Sequence, residues 1–175
     1  MKFANLSTDS NSFLQTNGAN GANSFVGFDE RKTAIMSDSP TAFVLVRPGL
    51  TKAAGSVSMM SFEKPGWYIR HYNGRLYLEP KVNPRSPESF DDDATFMEHP
   101  DTFYDGYVAF ESANNPGHYM VHNGSEGIYI RQQDGVSDFN QSASFVVKST
   151  INERRKRAVD PGEMMWSVRF ACVSE

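Results

Sequence analysis

The strongest constraint in this sequence is that part of it is written twice. The stretch from Val57 to His71 aligns without a gap on Val108 to His122, an offset of 51 residues, with Val, Ser, Pro, Gly, Tyr and His coinciding. After a one-residue slip, Leu76-Tyr77-Leu78 faces Ile128-Tyr129-Ile130. Phe90 and Asp93-Ala94-Thr95-Phe96 then face Phe139 and Ser142-Ala143-Ser144-Phe145. A fainter copy lies upstream in Phe13-Leu14-Gln15-Thr16 and Pro40-Thr41-Ala42-Phe43. Self-similarity at a fixed period marks an architecture assembled from repeated supersecondary units. Three units of about 50 residues (1–50, 51–103 and 104–150) fill most of the 175-residue chain and leave an extension at 151–175.

Each unit reads as β. Short runs of Tyr, Phe, Val and Ile alternate with polar residues and end at Pro65-Gly66, Asn73-Gly74, Pro116-Gly117, Asn123-Gly124 and Asp134-Gly135, which are turn signals. Asn73-Gly74 between Tyr68-Ile69-Arg70-His71 and Leu76-Tyr77-Leu78 predicts a tight hairpin, because both central positions need positive φ. No stretch carries a 3.6-residue apolar period over three turns. The expected fold is all-β, a β-trefoil of three ~50-residue repeats with a C-terminal extension, since hairpins that close a barrel leave no open sheet edge. Phe90, Phe96, Phe110, Phe139 and Phe145 are its expected core. In the extension, Trp166, Val168, Phe170 and Cys172 alternate with Met165, Ser167, Arg169 and Ala171. That alternation predicts a final strand beside Phe3-Ala4-Asn5-Leu6.

Composition removes several function classes. The longest apolar run, Ala42 to Val46, is far short of the ~20 residues of a spanning helix. A net charge of −4 argues against a nucleic-acid partner, which would need a surplus of cations. The single cysteine, Cys172, excludes an internal disulfide framework or a multi-cysteine zinc site and reads as a small buried hydrophobe. His118 and His122 have the spacing of helical metal ligands, but on a strand four residues span about 13 Å. No metal and no cofactor are expected. The basic run Arg154 to Arg157 suits a solvated loop, a processing or nuclear import signal, or a patch for an acidic partner. Asn5, Asn123 and Asn140 each match the glycosylation pattern, which matters only in a secreted chain.

The elements Pro65-Gly66, Tyr68-Ile69-Arg70-His71 and Asp93-Ala94-Thr95-Phe96, together with Ala42 to Leu50, resemble the arabinose-binding domain at the C-terminus of fungal α-L-arabinofuranosidase B. The similarity runs from about residue 1 to about residue 150. It implies a β-trefoil carrying up to three shallow pockets for arabinofuranose side chains of polysaccharides, with glycosidase activity in a separate domain. Carried over residue by residue, the family's His and Asp fall on His71 and Asp93 in the second unit, where Arg70 is also kept. In the third unit His122 matches, with Val121 and Ser142 at the other two places; in the first, Thr16 and Pro40 match neither. Secreted relatives are also expected to carry cysteines where this chain has Ser56 and Met97.

A carboxylate at Asp93 would accept hydroxyl protons in charge-assisted bonds, and His71 could donate, accept or pack a ring face on the sugar. Tyr72, Tyr77 and Asn73 are candidates for a wall and an extra polar contact, and Asn123 sits beside His122 in the third unit. Asp93 equally suits a turn fixed by its own backbone, and His71 a satisfied structural histidine. Glycoside hydrolysis needs two carboxylates about 5–9.5 Å apart across one bond. Asp91, Asp92, Asp93 and Glu98 read instead as a solvated acidic loop and its neighbour. The resulting expectation is a non-catalytic carbohydrate-binding module. The alternative is a scaffolding trefoil that holds a protein partner through its surface and extension. The resemblance favours an extracellular setting; the absence of a leader pattern and the single thiol favour an intracellular chain or an excised module.

Overall fold

A computed structural model describes residues 12–16, 24–123, 127–135 and 137–149. Among these, the chain forms β1 (Ser12–Thr16), β2 (Phe25–Phe28), β3 (Ala34–Ser37), β4 (Phe43–Val46), β5 (Ser56–Ser61), β6 (Trp67–Tyr72) and β7 (Arg75–Pro80). It continues through β8 (Phe96–Pro100), β9 (Val108–Ser112), β10 (His118–His122), β11 (Ile128–Gln132) and β12 (Phe145–Ser149). A 3-10 turn at Pro87–Ser89 leads into the one-turn helix α1 (Phe90–Asp93), and α2 (Ser137–Ser142) precedes β12.

The hairpin β6–β7 shows how sequence becomes structure. Asn73 and Gly74 take φ of 50° and 78°, the left-handed pair that a two-residue turn requires. The register then runs from Tyr72↔Arg75 to Trp67↔Pro80 without a slip. The Gly74 carbonyl also accepts the Ile130 amide at 2.7 Å, tying this turn to β11.

All ladders are antiparallel. They close a circuit in the order β1, β4, β5, β6, β7, β11, β10, β9, β12 and back to β1. β8 pairs with both β5 and β9 across that circuit. The β2–β3 hairpin hangs from β1 through the single pair Gln15↔Phe25 and meets β7 through the isolated bridge Thr33↔Tyr77. This corrects the expected trefoil of three repeats: the architecture is a closed nine-strand antiparallel barrel with extra strands. The first unit, whose motifs are faintest, supplies the pendant hairpin, so the three stretches do not contribute equally. Sequence likeness set the local order of strands but not how distant strands pair.

The barrel interior is filled by Leu14, Val26, Phe43, Val57, Met59, Ile69, Leu76, Phe96, Phe110, Met120, Ile128 and Phe145, all fully buried. Phe90 and Phe139 are buried as well, but Phe139 belongs to a separate cluster with Val121 and Ala143. Ser56 and Met97, where cysteines were expected in secreted relatives, face each other in register between β5 and β8. Asp91 to Asp93, read as a solvated loop, form α1, and Asp93 is buried. One helical turn is too short to leave a period in the sequence. No helix among the described residues is long and apolar enough to cross a membrane. The expected strands at Phe3–Leu6 and in the extension, with Cys172 and Arg154–Arg157, lie outside the described residues.

Candidate functional site

An open cleft of about 540 Å³ lies beside the β6–β7 turn, lined by His71, Tyr72, Asn73, Gly74, Ser89, Asp93, Asn115, His118 and Ile130. It is mostly polar, and its floor is a hydrogen-bonded network built around one carboxylate. Asp93, at the end of α1, accepts from Arg70 Nη2 at 2.8 Å, Ser89 Oγ at 2.8 Å and Asn114 Nδ2 at 2.7 Å. The turn-fixing role through its own backbone is not what it does; its partners are side chains from three elements. His71 Nε2 lies 3.6 Å from Asp93 Oδ1, 2.8 Å from Asn114 Oδ1 and 3.0 Å from Ser112 Oγ. His71 and Asp93 are thus brought side by side at the base of the cleft, 6% and 7% exposed.

Arg70, the third residue carried over with His71 and Asp93, lies beneath the cleft. Its side chain has no exposed surface and is absent from the cleft lining. A fully buried cation is costly unless paired and hydrogen-bonded, and here each part of the guanidinium is used. Besides Asp93, it donates to the Arg85 carbonyl at 2.5 Å and the His71 carbonyl at 3.3 Å. Glu79 adds a second carboxylate at 3.6 Å, and the rings of Tyr72 and Phe90 lie 5.4 Å from its centre, within cation–π range. Arg70 therefore anchors Asp93 from below. Arg85, ion-paired to Glu79, lies over the rings of Tyr72 and Tyr77 and holds the 81–89 loop against the wall of the cleft.

Burial pushes the His71 imidazole below its ordinary pKa; the hydrogen bond to Asn114 and the charge of Asp93 oppose that, while Arg70 and His118 reinforce it. A neutral ring is the expected state near neutral pH.

The third unit is built differently. His122 and Asn123 stand at the end of β10, away from the cleft residues, and among the described residues no hydrogen bond reaches the buried His122 Nε2. Burial lowers the pKa of this imidazole too. Ser142, at the place of Asp93, donates to the Phe139 carbonyl at 2.9 Å. Val121, at the place of Arg70, packs with Phe139 and Ala143 against Phe103, Tyr119 and Tyr129. The charged floor of one unit is an aromatic and aliphatic cluster in the other. His118 and His122 occupy opposite ends of β10.

Ser89, Asn114, Asn115 and His118 were missed by sequence reasoning. Asn114 and Asn115 carried one usable signal, their place just before Pro116-Gly117. That signal was read only as a turn, and nothing local says that the turn reaches 43 residues back to His71.

Comparison with known proteins places this geometry among relatives. Residues 11–147 match the model of the "Alpha-L-arabinofuranosidase B (ABFB) domain". Alpha-L-arabinofuranosidase B of Emericella nidulans is 34% identical over 103 residues, covering 57% of this chain and 19% of that protein. The chain therefore spans about a fifth of that relative's length. Among solved structures, an arabinofuranosidase complexed with arabinofuranosyl-alpha-1,2-xylobiose aligns over 81% of this chain and 31% of its own, with a TM-score of 0.64 and 23% identity. A GH54 α-L-arabinofuranosidase soaked with a cyclic sulfate inhibitor aligns over 85% and 33%, with a TM-score of 0.66 and 20% identity. At such identities the structural likeness is one of fold alone.

Proposed function

Because this chain belongs to the alpha-L-arabinofuranosidase B (ABFB) domain family, we propose that it is a non-catalytic carbohydrate-binding module whose cleft at His71 and Asp93 takes an arabinofuranose-like residue of a polysaccharide. The observation that carries the reading is the cleft itself: a polar recess of about 540 Å³ with a carboxylate, an imidazole and amide side chains on one floor. Groups of this kind replace the hydration shell of several hydroxyls at once.

The hydrogen bonds already made within the floor limit how much each group can offer. A carboxylate has about four acceptor positions. Both positions on Asp93 Oδ2 are taken by Arg70 and Ser89, and Asn114 takes one on Oδ1. One charge-assisted acceptor remains, not the two that an isolated aspartate would give. Tyr72 offers a flat wall, and Asn73 and His118 offer polar groups at the rim. So few direct contacts support weak single-site binding. His122 and Asn123 form a second, poorer candidate without a carboxylate, and two weak sites on one chain gain by avidity.

Non-catalysis is supported by the same geometry. Hydrolysis needs two carboxylates astride the bond, whereas Asp93 is the one acid among the residues lining the cleft. The scaffolding alternative drew on the extension at 151–175, which lies outside the described residues.

The test is titration of the full chain with linear arabinan, arabinoxylan and xylan, read against Asn73→Gly and Tyr72→Ala. Glycine accepts the positive φ of residue 73, so Asn73→Gly removes the side chain without stressing the turn. Binding to the arabinose-bearing polymers that weakens several-fold in both variants supports the reading. Absence of binding by the unaltered chain, or equal binding by all three, refutes it.

A further inference from the structure

The β9–β10 turn belongs to the third unit, yet two of its side chains complete the network of the second. Asn114 is the informative one, because its amide can be oriented by elimination. Its Nδ2 end meets Asp93 Oδ1 at 2.7 Å; a carboxylate with an acceptor-only role there must face the nitrogen, which only donates. The oxygen end then meets His71 Nε2 at 2.8 Å, Ser112 Oγ at 2.9 Å and Asn115 Nδ2 at 3.0 Å. An amide oxygen only accepts, so the Nε2 of His71 has to carry the hydrogen.

We infer that Asn114 is a positioning residue that holds His71 as the Nε2–H tautomer, leaving Nδ1 as a lone-pair acceptor, so that imidazole and carboxylate together select a ligand that donates hydroxyl protons. The inference rests on the proposed carbohydrate reading for its ligand and deepens it, but the tautomer can be measured with no ligand present. It defines the substrate class by chemistry. A polyol or sugar with neighbouring hydroxyls can donate to His71 Nδ1 and to the open position on Asp93 Oδ1. A phosphate, sulfate or carboxylate offers acceptors to acceptors and is repelled by Asp93 as well.

Acidification has a defined consequence. Nε2 already bears a hydrogen, so a second proton enters at Nδ1 and turns that acceptor into a donor. The groups around the ring act in both directions: Asp93 on α1 favours the second proton, Arg70 on β6 and His118 on β10 oppose it, and Asn114, Asn115 and Ser112 stay neutral. Sugar affinity should fall as His71 takes up that proton.

The experiment is long-range ¹⁵N–¹H correlation of the imidazoles in the uniformly labelled full chain at pH 7.5, for the unaltered protein and for Asn114→Ala and Asn114→Asp, each then titrated with arabinan. The expected result is an unaltered His71 with a pyrrole-like Nε2 and a pyridine-like Nδ1. Asn114→Ala should average the two signals and weaken arabinan binding by about fivefold, the worth of one or two hydrogen bonds. Asn114→Asp keeps an acceptor for Nε2–H while adding a second negative charge, so it should retain the tautomer and raise the pH at which His71 protonates. An Nδ1–H ring in the unaltered protein overturns the inference even if arabinan binds. An Nε2–H ring that Asn114→Ala scrambles upholds the positioning role even if arabinan does not bind, and then it is the carbohydrate reading that fails. An Nε2–H ring that Asn114→Ala leaves unchanged overturns Asn114 as its cause.

Discussion

Removing the Asp93 carboxylate should cost far more stability than its place on the floor of an open cleft suggests. Arg70 is completely buried, and Asp93 supplies its one carboxylate within hydrogen-bond distance, at 2.8 Å. Stripping one partner from a buried pair costs roughly 3–5 kcal/mol, because the remaining charge stays desolvated. Glu79 at 3.6 Å and the Arg85 and His71 carbonyls still face the guanidinium, so Asp93→Ser belongs at the lower end, about 3 kcal/mol. Arg70→Met keeps an unbranched apolar stem in the slot and leaves Asp93 with Ser89 and Asn114, a loss of about 2 kcal/mol. If the two losses share one cause, Arg70→Met with Asp93→Ser should lose only about 3 kcal/mol in total, a coupling of about 2 kcal/mol. The third unit already carries an uncharged version of this arrangement in Val121 and Ser142. Urea unfolding of the four proteins at pH 7.5, with shared slopes, closes the cycle. Additivity within about 0.5 kcal/mol would refute the claim that Asp93 and Arg70 act as one unit.

Other consequences can be checked independently. Burial holds the His71 and His122 imidazoles below their ordinary pKa, so the unfolded chain binds protons first; the stability they contribute is intact above about pH 6.5 and drains away as pH falls below it. Urea midpoints at pH 7.5, 6.5 and 5.5 should show that decline, and His122→Gln should flatten it; an unchanged slope would count against burial as the cause. Gly74→Ala forces a side chain onto a φ of 78° and should lose about 1 kcal/mol, measured in the same assay, whereas no loss would mean the turn relaxes freely. Ser56→Cys with Met97→Cys places two thiols in register on neighbouring strands, and the oxidised variant should gain up to about 4 kcal/mol from the closed loop. Part of that gain is offset by the Ser56 bonds to Gly49 and Ala53, and failure to oxidise would show that β5 and β8 are not paired as described.

How much of this was legible in the sequence depends on the range of the interaction. The Asn73-Gly74 hairpin was readable because its signal and its consequence share four residues. The five core phenylalanines were readable because burial follows from side-chain chemistry wherever the strand ends up. The circuit of strands was not, since pairing such as β7 with β11 or β12 with β9 is set by closure of the whole sheet. Arg70 read as a ligand contact because the family resemblance keeps it beside His71 and Asp93; only the convergence of α1, the 81–89 loop and two aromatic rings shows why it is buried. Likeness to relatives pointed to His71 and Asp93, yet Asn114 comes from another unit, and no local pattern links it to His71.

The contrast between Arg70 with Asp93 and Val121 with Phe139 has a consequence for how the molecule comes apart. One flank is fastened by ionic contacts, which temperature weakens little; its counterpart is fastened by oily contacts, which cold loosens. Amide exchange around α2 should therefore quicken before exchange around α1 as the protein is cooled toward freezing, so that cold opens the ring from one side.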